Sequence, residues 1–451
     1  MEALKYRLNS VESYTPNLKY KVFTLKNYRQ LPQIQRLSEK QKFEIDVVSN
    51  VLPFKVNNYV VDELIDWDNI PDDPIFILTF PQKKMLKKHH YKRVAAALKS
   101  DTEKHHLKQI VDDIRWELEP HPGGQLEHNV PILDGERLQG MQHKYNETVL
   151  FFPSQGQTCH AYCTFCFRWA QFTGIEELKF SMRDVQMLIK YIRQHPEITD
   201  ILFTGGDPLV MKANTLAAYI DALLAANISH IKSIRIGTKS LAYWPYRFLT
   251  DADAEDILDL FTKIRKAGKH LAIMAHFNHP RELSTEAVQE AIHKIRKTGA
   301  VIRTQSPLLK HINADPNVWK ELWTKQVSLG CIPYYMFIAR NTGAQHYFSV
   351  PIIKAWKIFK QAYQDVSGLA RTVRGPSMSA EPGKVQILGV SRIKGEKVIG
   401  LRFLQSRDAN WALWPFYAKY NDKACWLDEL RPAFGEDKFF FENGGQQFIL
   451  N

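Results

Sequence analysis

Five cysteines in 451 residues are too few for a disulfide framework. Two of them, Cys331 and Cys425, are solitary. Long apolar runs are missing as well: no stretch approaches the roughly 18 residues that a membrane span needs. The first residues, Met1 to Lys5, lack the apolar core of a signal peptide. These absences lead us to expect a cytoplasmic protein with no membrane association. Acidic residues are in the minority, 48 against 60 lysines and arginines, for a net charge of +12. Part of that excess clusters between Lys83 and Arg93, where a solvated helix face and attraction to an anionic partner are both open readings. Aromatics interleaved with basic residues on strands, the mark of many RNA-binding modules, are not found, so nucleic acid is not an expected partner.

What is present is one dense stretch, Gln157 to Trp169, with Cys159, Cys163 and Cys166 spaced C-x3-C-x2-C. It closely follows an apolar run at 149–152 that reads as a buried strand. Closely spaced thiolates suit soft ions and iron–sulfur clusters. Three thiolates on a cubane leave one iron open to a group that is not protein. The residues alone also admit a structural zinc knuckle with His160 as the fourth ligand.

Along the chain, residues 1–140 read as a helix-containing region. Its apolar runs are broken by Pro53, Pro71, Pro74 and Pro81, and a helix is predicted over 102–119. Pro120, Pro122, Gly123 and Gly124 mark a boundary. Strands and helices then alternate. Strands are predicted over 149–152, 200–203, 231–236, 270–275, 300–303 and 332–338, with Ser181, Ser284 and Asp315 as helix caps. Six units at about 30-residue spacing imply an α/β fold, a parallel sheet curled into a partial (β/α)6 barrel over 141–350. In such barrels chemistry sits at the C-terminal ends of the strands. There the sequence places the cysteines, Gly205-Gly206-Asp207, Gly237-Thr238-Lys239, His276 with His279, Gln305 with Ser306, and Arg340 with Asn341. The last region, 351–451, opens with a helix from Pro351. A loop over 371–384 then delivers Lys384 at its end, and the remainder reads as strand-rich.

A C-x3-C-x2-C loop after the first strand of such a pattern resembles the radical S-adenosylmethionine (SAM) superfamily. The stretches His143–Tyr145, Thr204–Leu209, Ile234–Thr238, His276–Pro280, Gln305–Leu309 and Pro333–Tyr335 are similar, in the same order, to lysine 2,3-aminomutase. The resemblance covers roughly residues 140 to 340 and continues more loosely to about 390. It implies an isomerase that moves the α-amino group of an amino acid to the β-carbon through a 5′-deoxyadenosyl radical and a pyridoxal phosphate (PLP) imine.

Residue by residue, the resemblance implies that Cys159, Cys163 and Cys166 ligate a [4Fe-4S] cluster. Gly205, Gly206, Asp207 and Thr238 would lie at SAM, with His276 and Gln305 near its ribose or adenine. Lys384 would carry PLP. Lys144 stands in for one arginine of the family's phosphate site, and Thr148 replaces a second. Arg168 would grip the substrate's α-carboxylate, since a planar guanidinium forks onto carboxylates. Arg340 stands where the lysine enzymes have an aspartate, which favours an acidic substrate such as glutamate over lysine. A second family aspartate aligns with Ser377 or near Glu381. The implied partners are a small amino acid and a reductant of flavodoxin or ferredoxin type; a homo-oligomer is compatible. The competing expectation is a PLP-independent radical SAM enzyme acting on a peptide, protein or secondary metabolite.

Overall fold

The computed structural model describes residues 18–100, 102–120 and 126–442. The readings made on Met1 to Lys5 and on Pro122, Gly123 and Gly124 lie outside the described residues. The N-terminal region is mostly helical, with helices Glu39–Val51, Pro74–Thr79, Lys88–Lys99 and Lys104–Leu118. Ser38 and Gln41 begin the first of these with a reciprocal capping box. Strands β1 (Val22–Thr24) and β2 (Lys55–Asn57) pair antiparallel beside them. A short hairpin, β3 (Ile132–Leu133) and β4 (Glu136–Arg137), precedes the main sheet.

That sheet has eleven strands. In chain order they are β5 (Met141–Tyr145), β6 (Thr148–Phe151), β7 (Asp200–Phe203), β8 (Ser233–Thr238), β9 (His270–His276), β10 (Val301–Leu308), β11 (Ile332–Ile338), β12 (Arg374–Ser379), β13 (Gly383–Ile393), β14 (Glu396–Ser406) and β15 (Pro415–Lys419). From β6 to β12 neighbours are parallel, and the strands outside that block pair antiparallel. This is an α/β partial barrel, with the six expected strands in sequence order.

Burial alternates as a curled sheet with helices on one face requires. Val149, Phe151, Ile201, Phe203, Ile234 and Ile236 are buried, and Phe151 meets Tyr219 of the helix Ala213–Ala225 with ring centroids 5.5 Å apart. The opposite parity mixes Leu150 and Leu202 with polar residues that bond to one another across the strands. Thr148 Oγ1 donates to Asp200 Oδ2 at 3.0 Å, and Arg235 Nε donates to Asp200 Oδ1 at 2.9 Å. The sheet curls back on itself, so that Lys144 Nζ on the edge strand β5 donates to the carbonyl of Ala380 between β12 and β13.

Five local expectations need correction. Residues 371–384 are not a loop: 374–379 form the seventh parallel strand, β12, and Lys384 is the second residue of β13. Gly375 permits this, because a Cβ there would stand 2.7 Å from the carbonyl oxygen of Met336 on β11. Asp184, not Ser181, caps the helix Val185–Gln194, and Thr285, not Ser284, caps Glu286–Lys297. Gln305 and Ser306 lie inside β10 rather than after it. Pro351 is the residue before its helix, Ile352–Gln364, rather than its first turn. Asp315 and Pro316 open their helix as expected, with Asp315 accepting from Asn317 N at 2.7 Å. Among the described residues, no helix is long and apolar enough to cross a membrane.

Candidate active site

The cysteine loop leaves the C-terminal end of β6 and is held from both sides. From the N-terminal region, the Lys55 carbonyl accepts from Tyr162 N at 2.8 Å and the Leu78 carbonyl from Thr164 N at 2.9 Å. The hydroxyl of Tyr20 (2.7 Å) and Asn57 Nδ2 (3.2 Å) both donate to the carbonyl of His160. Lys55 Nζ donates to Thr158 Oγ1 at 3.2 Å. Burial pushes all three thiols up, Cys166 to about 12 and Cys159 well above its ordinary value, and the three thiols lie close enough to raise one another further. Holding them as thiolates therefore requires a cation or cluster.

His160 does not fit the fourth place of a zinc knuckle. Its Nδ1 lies 3.0 Å from Ser240 Oγ, and among the described residues His160 is in no group with the cysteines whose ligand atoms lie within 4.8 Å of one another. Among the described residues, the three sulfurs are not a set whose ligand atoms all fall within 4.8 Å of one another. Thiolates closing on one zinc with bonds of about 2.3 Å would stand about 3.8 Å apart.

On the other side of the loop lies Gly205-Gly206-Asp207, after β7. A Cβ on Gly206 would stand 2.4 Å from the Thr158 carbonyl oxygen, so only glycine lets the two backbones touch. Gly205 has φ +135, in the left-handed half of conformational space. Asp207 N donates to the carbonyl of Thr158 at 2.7 Å. The Asp207 carboxylate turns inward, accepting from Thr238 Oγ1 (2.8 Å), Lys239 N (2.8 Å), Leu209 N (3.0 Å) and Ser240 Oγ (3.0 Å). Thr238 is spent in the same network, since its Oγ1 also accepts from Ser240 N at 2.9 Å. Further round the rim, Lys239 Nζ reaches Glu282 Oε1 at 2.6 Å and Asn278 Oδ1 at 2.9 Å, all buried. His276 is different. Its Nε2 is buried without a partner, and its ring lies 5.7 Å from that of Phe165, inside the cysteine loop. Gln305 is its neighbour across the β9–β10 ladder.

The remaining expected residues gather across the barrel mouth. Arg168 Cζ stands 5.1 Å and Arg340 Cζ 4.8 Å from the ring centroid of Phe167. Arg168 is buried, with Nη1 lacking a partner; burial, then Arg340, lower its pKa to about 9. Arg340 donates to the Ser379 carbonyl at 3.0 Å. Lys384 lies among aromatics, Nζ 4.3 Å from the Tyr335 ring centroid and 5.4 Å from that of Tyr145, and bonded to Gln405 Oε1 at 2.9 Å. Burial lowers Lys384 to about 7. Burial does the same to Lys144, helped by Arg340 and Arg407. Lys144, Arg340 and Arg407 also line a cavity of about 880 Å³. Of the two positions for a second family aspartate, Ser377 is wholly buried in β12, and Glu381 pairs with Arg407 at 2.9 Å.

No family model matches the sequence. The chain is similar, at 33% identity over 414 residues, to an Aquifex aeolicus protein with the provisional name L-lysine 2,3-aminomutase, covering 92% of this chain and 97% of that one. The chain belongs to the lysine 2,3-aminomutase family. Similarity extends to the L-lysine 2,3-aminomutase of Escherichia coli (27%; 55% of this chain, 69% of that one) and the glutamate 2,3-aminomutase of Clostridioides difficile (31%; 47% of each). The family consists of radical SAM isomerases that use a [4Fe-4S] cluster, SAM and PLP. Among solved structures, a radical SAM methyltransferase from Sphaerobacter thermophilus aligns over 64% of this chain and 94% of its own, at TM-score 0.38 and 14% identity, too slight a likeness to argue from.

The sequence reading missed the N-terminal clamp of Tyr20, Lys55 and Asn57, the buried pair Lys239–Glu282, and the Tyr145, Tyr335, Gln405 and Arg407 surroundings of Lys384 and Lys144. Lys239 stood in a strand-end triplet, and Tyr145 and Tyr335 in stretches that carry the resemblance, so these had a usable signal; Glu282, Gln405 and Arg407 had none.

Proposed function

We propose that this radical SAM aminomutase acts on an acidic amino acid, glutamate rather than lysine, and carries PLP on Lys384. The observation that carries the substrate reading is the pair of guanidiniums, buried Arg168 and half-buried Arg340, around one phenylalanine. Two such cations beside each other are unfavourable until anions arrive, and a dicarboxylate supplies two. Arg168 would take the α-carboxylate and Arg340 the distal one, whereas a distal ammonium would meet a like charge.

The residues fit the family's cofactors. Three half-buried thiols share one loop, and the glycine contact at Thr158 leaves the β7 backbone against it. A lysine near neutrality at pH 7 is the form able to attack an aldehyde. Lys144 and Arg407 supply cations for a phosphate. When bound, the cluster and SAM supply the radical, and PLP carries the migrating nitrogen. His276 and Gln305 suit the ribose or adenine. Asp207 and Thr238, with their side chains spent on one another, hold the rim rather than touch the cofactor. Arg168 and Arg340 fix the substrate's ends, and Tyr145 and Tyr335 keep the Lys384 amine out of water.

Purified protein given SAM, dithionite, PLP and glutamate is expected to form β-glutamate, read by NMR. No β-isomer from any common amino acid would overturn the reading. Lys384→Ala is expected to lose the visible PLP absorbance. The 880 Å³ cavity, larger than one amino acid needs, favours a second reading: PLP-independent action on a larger anionic substrate. Protein made with ample PLP yet lacking its absorbance would select that alternative.

A further inference from the structure

The basic run between Lys83 and Arg93 takes no part in the site described above. Its lysines Lys84, Lys87, Lys88 and Lys92 are all exposed. Among the described residues, only Lys83 of these five lysines has a carboxylate within 4.0 Å, that of Glu44. The run sits against the rim. His346, in the short helix Gln345–Phe348 after β11, has Nε2 3.1 Å from the Lys84 carbonyl oxygen. Exposed Lys310 and His311, after β10, join the same face: Lys310 N donates to the Phe348 carbonyl at 2.9 Å, and burial, then Lys310 and Lys84, lower the His311 pKa.

A line of rings runs from this face to the cysteine loop. His311 lies 4.2 Å from Tyr347, Tyr347 4.9 Å from Phe348, and Phe348 6.2 Å from Phe165. Phe165 lies between Cys163 and Cys166. The segment just before the run, Ile77 and Leu78, accepts hydrogen bonds from Thr164 of the same loop. A run of exposed lysines, with Asp72 as the carboxylate felt by His311 and Tyr347, thus lies at the outer end of a chain of contacts that reaches the cysteine loop.

We infer that the face formed by Lys84, Lys87, Lys88 and Lys310 docks an acidic one-electron carrier of flavodoxin or ferredoxin type. This rests on the reading of Cys159, Cys163 and Cys166 as cluster ligands. Charge complementarity commits the face to that partner, because like-signed patches repel and opposite ones steer encounter. One electron leaves the carrier's reduced flavin or iron–sulfur centre and enters the cluster; no bond forms or breaks at the interface. A nucleic acid would match the charge alone, but nothing would then connect the patch to the cysteine loop.

The experiment follows cluster reduction by its visible bleaching and by EPR, with photoreduced flavodoxin and, separately, with dithionite. In wild-type protein the flavodoxin rate is expected to fall steeply with added salt, as steering does. The triple variant Lys84→Glu, Lys87→Glu, Lys310→Glu is expected to slow flavodoxin reduction by about tenfold or more and to leave dithionite reduction unchanged. A control with the same change in net charge at the far end of the barrel, Lys232→Glu, Lys266→Glu, Lys297→Glu, is expected to keep the wild-type rate. Equal slowing in both triple variants, an unchanged rate in the first, or salt-independent reduction would overturn the inference. So would patch-dependent binding of duplex nucleic acid with flavodoxin reduction untouched. A wild-type protein that dithionite itself cannot reduce would overturn the cluster reading beneath it.

Discussion

The two sides of the barrel mouth balance their charges differently. On the cysteine side, the buried charged groups are closed upon each other, while His276 Nε2 is left open: Asp207 takes bonds from Thr238, Ser240 and two backbone amides, and Lys239 is paired with Glu282. On the lysine side the cations outnumber their anions. Arg168 leaves a buried nitrogen unpartnered, and Lys144 and Lys384 are held near pH 7 by burial. The first side is built to hold its geometry with nothing bound. The second holds an imbalance that only an anionic ligand relieves, and a site meant to take anions must carry that cost.

The largest effect should come from opening the closed side. Lys239→Met leaves Glu282 a buried charge without its cation. Losing one partner of such a pair costs about 3–5 kcal/mol. A correspondingly lower midpoint in chemical denaturation is expected, and an unchanged midpoint would show that the network is not closed in the sense described.

On the open side, Arg340→Ala should weaken glutamate by about 2–4 kcal/mol, or roughly 30- to 1,000-fold in KM, with less change in kcat. Arg340→Asp should bring lysine turnover up from nothing measurable. If glutamate kinetics ignore both changes, Arg340 does not face the substrate.

The sharpest contrast is in stability. Arg168→Met removes a buried cation with an unpartnered nitrogen, in place of a satisfied one. It should leave the fold as stable or raise stability by about 1 kcal/mol while abolishing substrate binding. A loss of stability comparable to that of Lys239→Met would erase the distinction between the two sides.

The cysteine side was the more legible of the two in the sequence, because its signals are local. Three thiols lie within eight residues, and two glycines fall directly after a short apolar strand. The strands at 200–203 and 332–338 were found with their bounds for the same reason. Strand β12 was not, because Gly375 and Pro376 read as loop residues; the close approach to Met336 that demands the glycine is a tertiary fact. The clamp from Tyr20, Lys55 and Asn57 acts on residues more than a hundred positions away, largely through backbone atoms, and leaves no spacing to find. Arg168 and Arg340 were each visible singly, but their meeting over Phe167 was not.

The smallest effect expected is also the most specific. A lysine with its pKa near the ordinary 10.5 is almost wholly protonated at pH 7, whereas Lys384 is near half neutral there. The rate of PLP uptake should therefore rise with pH, with a midpoint of about 7, and level off above it. The same shift works on stability. The unfolded chain binds this proton up to about 10.5 and the folded one only to about 7, so the lysine's contribution to stability rises between those values and is flat below them. Lys384→Met should flatten that part of the stability profile, and a wild-type uptake midpoint near 10 would mean that the amine is not held in the dry surroundings given by Tyr145 and Tyr335. Adding inorganic phosphate before PLP then separates Lys384 from Lys144: an anion beside Lys144 and Arg407 should raise the Lys144 pKa directly, while moving the Lys384 midpoint far less.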